Sequence, residues 1–376
     1  MKRITLPVLA IFLAIAACAM PILGSSSQGT PAVIPTLKTS PFDLGRTVYG
    51  FFPSPPEVTT QSVIDTYKAI GQHGDVVLLQ QNIPWEAFAA GVDVESAAIT
   101  DIHNQYLLAH QNGLEVIFVV DPLNGLNRRD FQGLPAGWEA SFANPKVRAA
   151  FSNFTLRIVH EFHPKYLGLA SEINTYNDSH PDDFPNFLSL YNEVYTQVKA
   201  EAPETQIFVT FQWEELNNLI PPLAQGAPYA VNWGQVEQFE PNLDLWALSS
   251  YLFVIYSSGA DIPANYYTPL LTRTSKPLAV AEGGYSSASV GSFHGDQQSQ
   301  VDCLNAIHSQ IGSRLSFWIY LLINDFNLAS YASLMNQKGQ GTDINTLRMF
   351  ASVGLTTSDR MPKPALAVWD SFRSAP

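Results

Sequence analysis

Cysteine is almost absent from this chain, and clustered positive charge is absent altogether. Two cysteines, Cys18 and Cys303, occur in 376 residues. That excludes a disulfide-stapled framework, and Cys303 reads as a small buried hydrophobe on an amphipathic helix. Lys and Arg number 20 against 33 Asp and Glu, for a net charge of −13. The cations are scattered, so no basic stripe exists to neutralise phosphates and no nucleic-acid partner is expected. The acidic balance also argues weakly against polyanionic substrates. No Gly-rich phosphate loop follows the first strand pattern, which disfavours an open nucleotide-binding sheet. No His or Cys grouping has zinc-site spacing. His160 and His163 stand three apart, and His163 precedes Pro164, where a helix should stop, so a solvated helix end is the better reading. No metal or organic cofactor is expected.

The N-terminus is informative. Lys2 and Arg3 precede an apolar run over residues 6–17, too short to span a bilayer comfortably. Ile15-Ala16-Ala17-Cys18 matches a bacterial lipobox, which marks Cys18 for lipidation. A plain secretory cut after Ala19 is the alternative, since Ala17-Cys18-Ala19 also fits a small-x-small site. The expected organisation is a lipoprotein signal peptide over 1–17, a flexible tether over 18–42 and one domain over 43–376. Residues 24–40 are rich in Ser, Thr, Pro and Gly, as a tether requires. The expected setting is the bacterial cell envelope, with the chain anchored through a lipid and facing the periplasm or exterior, or else secreted. A monomer is expected.

Beyond the tether, short apolar runs alternate with amphipathic stretches. Strands are predicted over 47–52, 75–80, 115–120, 166–170, 206–211, 243–249, 277–281 and 315–322. Near-continuous apolar runs of this kind suit buried parallel strands. Helices are predicted over 60–73, ending on Gly74 as a C′ glycine, and over 95–111, ending at Asn112-Gly113. Asn144-Pro145 offers an N-cap and an N1 proline for a helix ending near Phe162. Further helices are predicted over 184–202, 298–311 and 364–372. A long loop over 122–142 carries Arg128 and Arg129, and another long loop with one short helix follows the eighth strand. Eight strand–helix units with no second composition zone point to an α/β fold, a single (β/α)₈ TIM barrel.

In such barrels the site forms at the C-terminal ends of the strands. The polar residues there are Asn82, Asp121, Glu172, Asn174, Gln212, Glu214, Tyr251, Glu282, Asn324 and Asp325. Aromatics stand among them, including Trp85, Trp213, Tyr285 and Trp318. Carboxylates mixed with amides and rings describe a carbohydrate site, because rings stack on pyranose faces while amides and acids bind hydroxyls. Glu172 and Glu282 each end a strongly apolar run, on the fourth and seventh strands. Retaining glycosidases need two carboxyls about 5 Å apart, and facing strands could bring them to that spacing. Glu172 could instead form a structural ion pair with Arg128 or Arg129. Asp121 reads equally as a substrate contact or a loop cap. Glu214 and Glu215 read as a solvated loop or helix start. Trp85, Trp213 and Trp318 read equally as packing or as sugar platforms.

The motifs 166–174, with Ser171-Glu172-Ile173-Asn174, 247–251, ending in Tyr251, and 277–285, with Glu282-Gly283-Gly284-Tyr285, resemble glycoside hydrolase clan A. Phe317-Trp318-Ile319-Tyr320 with Asp325, and the closing run 361–369, resemble it too. The likeness covers residues 47–372 and lies distantly nearest the endo-β-1,4-galactanase branch. It implies Glu172 as general acid/base, Glu282 as nucleophile, Tyr251 near the nucleophile and Trp318 as a platform on strand eight. Substrate contacts are expected, from their place where the strands end, at Asn82, Asp121, Ser171, Asn174, Gln212, Trp213 and Asp325. One departure stands out: clan members place Asn directly before the acid/base to bind the sugar 2-hydroxyl, and here that position is Ser171. Asn174 is a possible substitute. The expected function is a retaining glycoside hydrolase acting on oligo- or polysaccharide. The alternatives are a glycan-binding envelope lipoprotein on the same barrel, or another hydrolase on that fold.

Overall fold

A computed structural model describes residues 40–374 except 222 and 338–343. The signal peptide, Cys18 and most of the tether lie outside the described residues. Ser40 already caps a 3₁₀ turn, Pro41–Asp43.

The strands are β1 (Val48–Phe52), β2 (Val76–Asn82), β3 (Glu115–Asp121), β4 (Tyr166–Gly168), β5 (Gln206–Phe208), β6 (Thr210–Gln212), β7 (Trp246–Ser250), β8 (Leu278–Gly283) and β9 (Leu315–Leu322). They hydrogen-bond in the order β5-β4-β3-β2-β1-β9-β8-β7-β6. β5 and β6 are one stretch of chain interrupted at Val209. The order therefore begins and ends on the same strand, which is the cyclic topology of the (β/α)₈ barrel. Register supports it: β4 pairs in parallel with β5 through Tyr166↔Gln206, and β6 pairs with β7 through Thr210↔Ala247.

Helix boundaries follow local chemistry. Thr59 accepts from the Ser62 N–H at the start of Thr60–His73, and Asn144 accepts from Lys146 N with Pro145 behind it at the start of Pro145–Phe162. Each cap satisfies a donor that the first turn leaves orphaned. The second helix stops at His163, left-handed and exposed, because Pro164 disfavours continued helix. Gly74 differs from expectation. Its backbone is extended rather than left-handed. Glycine suits this position for space, since a Cβ would lie 3.2 Å from the Ile70 carbonyl and 3.4 Å from the Phe51 ring. The loop after β9 carries two helices, Leu328–Gln337 and Ile344–Phe350, where one was expected.

Contact density divides the described chain into two units. The first comprises Gln80–Val94 and Phe118–Tyr251. Phe142 centres its core, with ring centroids 4.6 Å from Phe131, 4.9 Å from Phe187 and 5.2 Å from Tyr176. The second comprises 40–79, Glu95–Ile117 and 252–374. There Trp369, on the last helix Pro364–Arg373, packs edge-on to Tyr49 and against Phe51 and Trp318 at 5.1–5.3 Å. Its Nε1 donates to the His73 carbonyl at 2.8 Å. Rings of this size supply most of the apolar area a core removes from water.

This packing corrects one expectation. Trp318 is only 1% exposed and sits in mid-strand, its ring against Tyr49, Trp369 and Phe372. A ring closed in on these sides is a core residue, not a sugar platform. Register decided this, because the C-terminal positions of β9 are Leu321 and Leu322.

Candidate active site

In the first unit, polar side chains gather where β3, β4, β6 and β7 end. Glu172 is at the centre. The chain leaves β4 through Leu169, whose N–H still bonds Phe208 O, and reaches Glu172 in the left-handed region, φ 47° and ψ 44°. The helix Ile173–Ser179 begins at the next residue, yet the Glu172 side chain does not cap it. A non-glycine residue in this conformation costs on the order of 1–3 kcal/mol and is held only where its surroundings dictate it. Here the Glu172 N–H donates to Thr210 Oγ1 at 2.7 Å, and its carboxyl turns to Ser249, whose hydroxyl donates to Oε1 at 2.5 Å. Oε2 makes no hydrogen bond among the described residues and lies 3.4 Å from Arg128 Nε. The ion pair weighed in the sequence is thus present, with Arg128 rather than Arg129.

Glu172 is 1% exposed. Burial pushes its carboxyl up, to about 7 from the ordinary 4.5, with Glu214 adding to the rise. Arg128 and the Ser249 hydroxyl pull the other way. The folded chain therefore keeps a proton that the unfolded chain has released, so this group makes stability fall as pH rises from about 4.5 to 7. Urea denaturation of Glu172→Gln beside the parent checks this. The variant's relative stability is expected to improve between pH 5 and pH 8, and a difference constant with pH would refute the assignment.

Asp121, the last residue of β3, is fully buried. It accepts from Gln80 Nε2 at 2.7 Å, from Leu123 N at 3.2 Å and from Arg128 Nη1. It also takes the backbone N–H of Ser171. Burial pushes its carboxyl up against the pull of Arg128. Asp121 therefore acts here as an anchor. Ser171 donates to Gln80 Oε1 at 3.2 Å and accepts from Thr210 Oγ1 at 3.4 Å. Asn174 cannot stand in for the missing asparagine. Its Nδ2 donates to Gln212 O at 3.2 Å while its Oδ1 takes Gln212 N at 2.8 Å, so the amide is committed to backbone. Gln212 caps the helix Trp213–Leu216 through Glu215 N and donates to Glu214 at 2.8 Å. Trp213 is fully buried, 6.0 Å from Trp233, and Asn82 ends β2 partly exposed.

Glu214 and Glu215 depart from the solvated reading. Both are buried, at 0% and 5% exposure. Glu214 takes Ser250 Oγ at 2.5 Å, Tyr251 N at 3.1 Å and the Gln212 amide. Glu215 takes Thr175 Oγ1 at 2.5 Å, and burial pushes its carboxyl well up. A charged pair opening a helix reads as exposed in sequence, and only the donors that the fold brings over it, Ser250 from β7 and Thr175 from the helix after Glu172, show otherwise. Gln80, Thr210, Ser249 and Ser250 were not singled out. Their one signal is polarity at the end of an apolar strand.

In the second unit, Glu282 is the penultimate residue of β8 and is 1% exposed. The chain after it is clamped. Gln300 Nε2 donates to Tyr285 O at 2.9 Å, Tyr285 OH donates to Tyr256 O at 2.8 Å, and a Cβ on Gly284 would lie 3.2 Å from the Tyr320 ring. Asp325 is held by Lys363 Nζ at 2.7 Å, and Asn324 takes Thr356 Oγ1 at 2.9 Å. Among the described residues, no group of three or more His, Cys, Asp or Glu is placed to hold a metal, and no helix is long and apolar enough to cross a membrane. Cys303 is buried.

No protein-family model matches the chain, and no curated protein matches it. Solved structures do. A GH5_18 protein from Bifidobacterium longum subsp. longum is 14% identical, with TM-score 0.62 over 88% of this chain and 80% of its own. GH5_18 from Streptomyces cattleya in complex with GlcNAc is 16% identical, with TM-score 0.61 over 88% and 81%. The exo-beta-1,4-mannosidase Op5Man5 from Opitutaceae bacterium strain TAV5 is 11% identical, with TM-score 0.60 over 87%, and this chain spans 59% of it. At such identity the likeness shows the fold alone, the (β/α)₈ barrel.

Proposed function

We propose that this chain is a retaining glycoside hydrolase, with Glu172 as general acid/base and Glu282 as nucleophile. The observation that carries the reading is Glu172 itself. It is a buried carboxyl in the turn between β4 and the helix Ile173–Ser179, fixed in a strained backbone and holding a proton near neutrality. Glu282 supports it as a second buried carboxyl at the C-terminal end of another parallel strand. In the first step Glu172 protonates the leaving oxygen while Glu282 attacks the anomeric carbon. In the second, water attacks that carbon, Glu172 takes the proton and the bond to Glu282 breaks. The substrate class is an oligo- or polysaccharide. The reading needs no cofactor and includes a monomer anchored in the cell envelope through lipid on Cys18.

A mechanism-based 2-fluoro glycoside with a dinitrophenyl leaving group tests it. Aryl β-mannosides head the panel, since one similar structure is named a mannosidase. Mass spectrometry is expected to find the label on Glu282, and early-time NMR to show retained anomeric configuration. Inversion, or a label elsewhere, defeats the proposal.

A second reading, a barrel that binds glycans without cleaving them, is favoured by one observation. Neither Ser171 nor Asn174 presents an amide in the place of the missing asparagine. Equal, negligible turnover by the parent and Glu172→Gln, with glycan binding retained, selects it.

A further inference from the structure

The reaction scheme leaves unused the cation closest to the acid/base. We infer that Arg128, locked by Asp121, is a positioning residue that holds the Glu172 carboxyl in place and keeps its ionised form accessible for the second half of the reaction. The inference rests on the proposed role of Glu172.

The geometry is specific. Arg128 is fully buried, with Nη1 on Asp121 and Nε 3.4 Å from Glu172 Oε2. Asp121 also receives the backbone N–H of Ser171, the residue before Glu172. One carboxylate thus fixes both the guanidinium and the peptide leading into the acid/base. The loop is shaped to deliver the arginine. Asn124 N bonds Asp130 O at 2.7 Å, Arg128 N bonds Asn124 O at 2.8 Å, and Arg128 has φ 53°. Two facing residues therefore share the left-handed region, in which bulky side chains are uncommon.

The charges around Glu172 explain why a cation is needed. Burial and the neighbouring Glu214 favour the protonated acid. Arg128 and the Ser249 hydroxyl oppose them. The acid form suffices for the first step. In the second, the proton of the attacking water must pass to a Glu172 carboxylate as the electron pair of the breaking bond returns to Glu282. Without Arg128 that carboxylate becomes scarce.

The test compares the parent with Arg128→Met, Arg128→Lys and the double variant Arg128→Met/Asp121→Asn, which removes both charges together. Two readouts are used. One is the pH profile of turnover on glycosides with poor and activated leaving groups. The other is ¹³C NMR titration of the Glu172 carboxyl without substrate, assigned by its loss in Glu172→Gln. In the neutral variants, both the alkaline limb of kcat/KM for poor leaving groups and the carboxyl titration are expected to move up by at least about one pH unit. A shift of that size makes the carboxylate about tenfold scarcer below its midpoint. The kcat for activated substrates, limited by the second step, is then expected to drop about tenfold at pH 6 while their kcat/KM holds. Arg128→Lys is expected to recover part of both shifts. An unmoved carboxyl titration in a folded variant overturns the inference, whether or not the protein turns over. Failure of the glycosidase reading looks different: parent and Glu172→Gln are then equally inactive.

Discussion

Glu172→Gln is expected to lower kcat/KM on unactivated glycosides by about 10²–10⁴-fold, the usual contribution of a positioned general acid. The amide keeps the size of the carboxyl and can still meet Ser249 and Arg128, so the loss reports proton transfer rather than collapse of the site. Leaving groups that depart without a proton are expected to lose far less in kcat/KM. Steady-state kinetics on a series of aryl glycosides, graded by phenol acidity, measures this. The variant's slope against leaving-group acidity should be steeper than the parent's. Equal slopes would remove Glu172 from the acid role.

Asp121→Ala is expected to cost about 3–5 kcal/mol, the scale on which removal of one partner leaves a buried charge uncompensated. Gln80 and the Ser171 N–H lose an acceptor in the same change. Domains of ordinary stability hold about 5–15 kcal/mol in all, so such a variant stands near its unfolding limit. Urea denaturation at neutral pH reads the difference directly. A loss under about 1 kcal/mol would mean that water replaces Asp121, and that Arg128 is not enclosed as its burial shows.

Much of the architecture was legible because it is written in short-range patterns. Apolar runs of strand length, Thr59 and Asn144 as caps, and Pro164 as a stop act within a few residues of where they stand. Their effects survive in any context that buries the apolar faces. The two glutamates stand out in the sequence for the same reason, as charges closing apolar runs, and both are buried in the fold. Where the reading missed, the cause was register or packing. Trp318 was assigned to the mouth of the barrel and lies in mid-strand, and Glu214 and Glu215 were assigned to solvent and lie under the donors of Gln212, Thr175 and Ser250.

Strand and helix order, the barrel topology and the choice of Glu172 and Glu282 as the carboxyls to examine therefore come from local chemistry along the chain. The company Glu172 keeps does not. Ser249 is 77 residues away from it, and the Ser171–Gln80 bond spans 91. Whether such groups meet depends on strand register and on a left-handed turn that no short-range pattern announces. The same holds for its charge: burial, which only packing decides, pushes the Glu172 carboxyl up, while the Arg128 and Ser249 that packing brings beside it pull the other way.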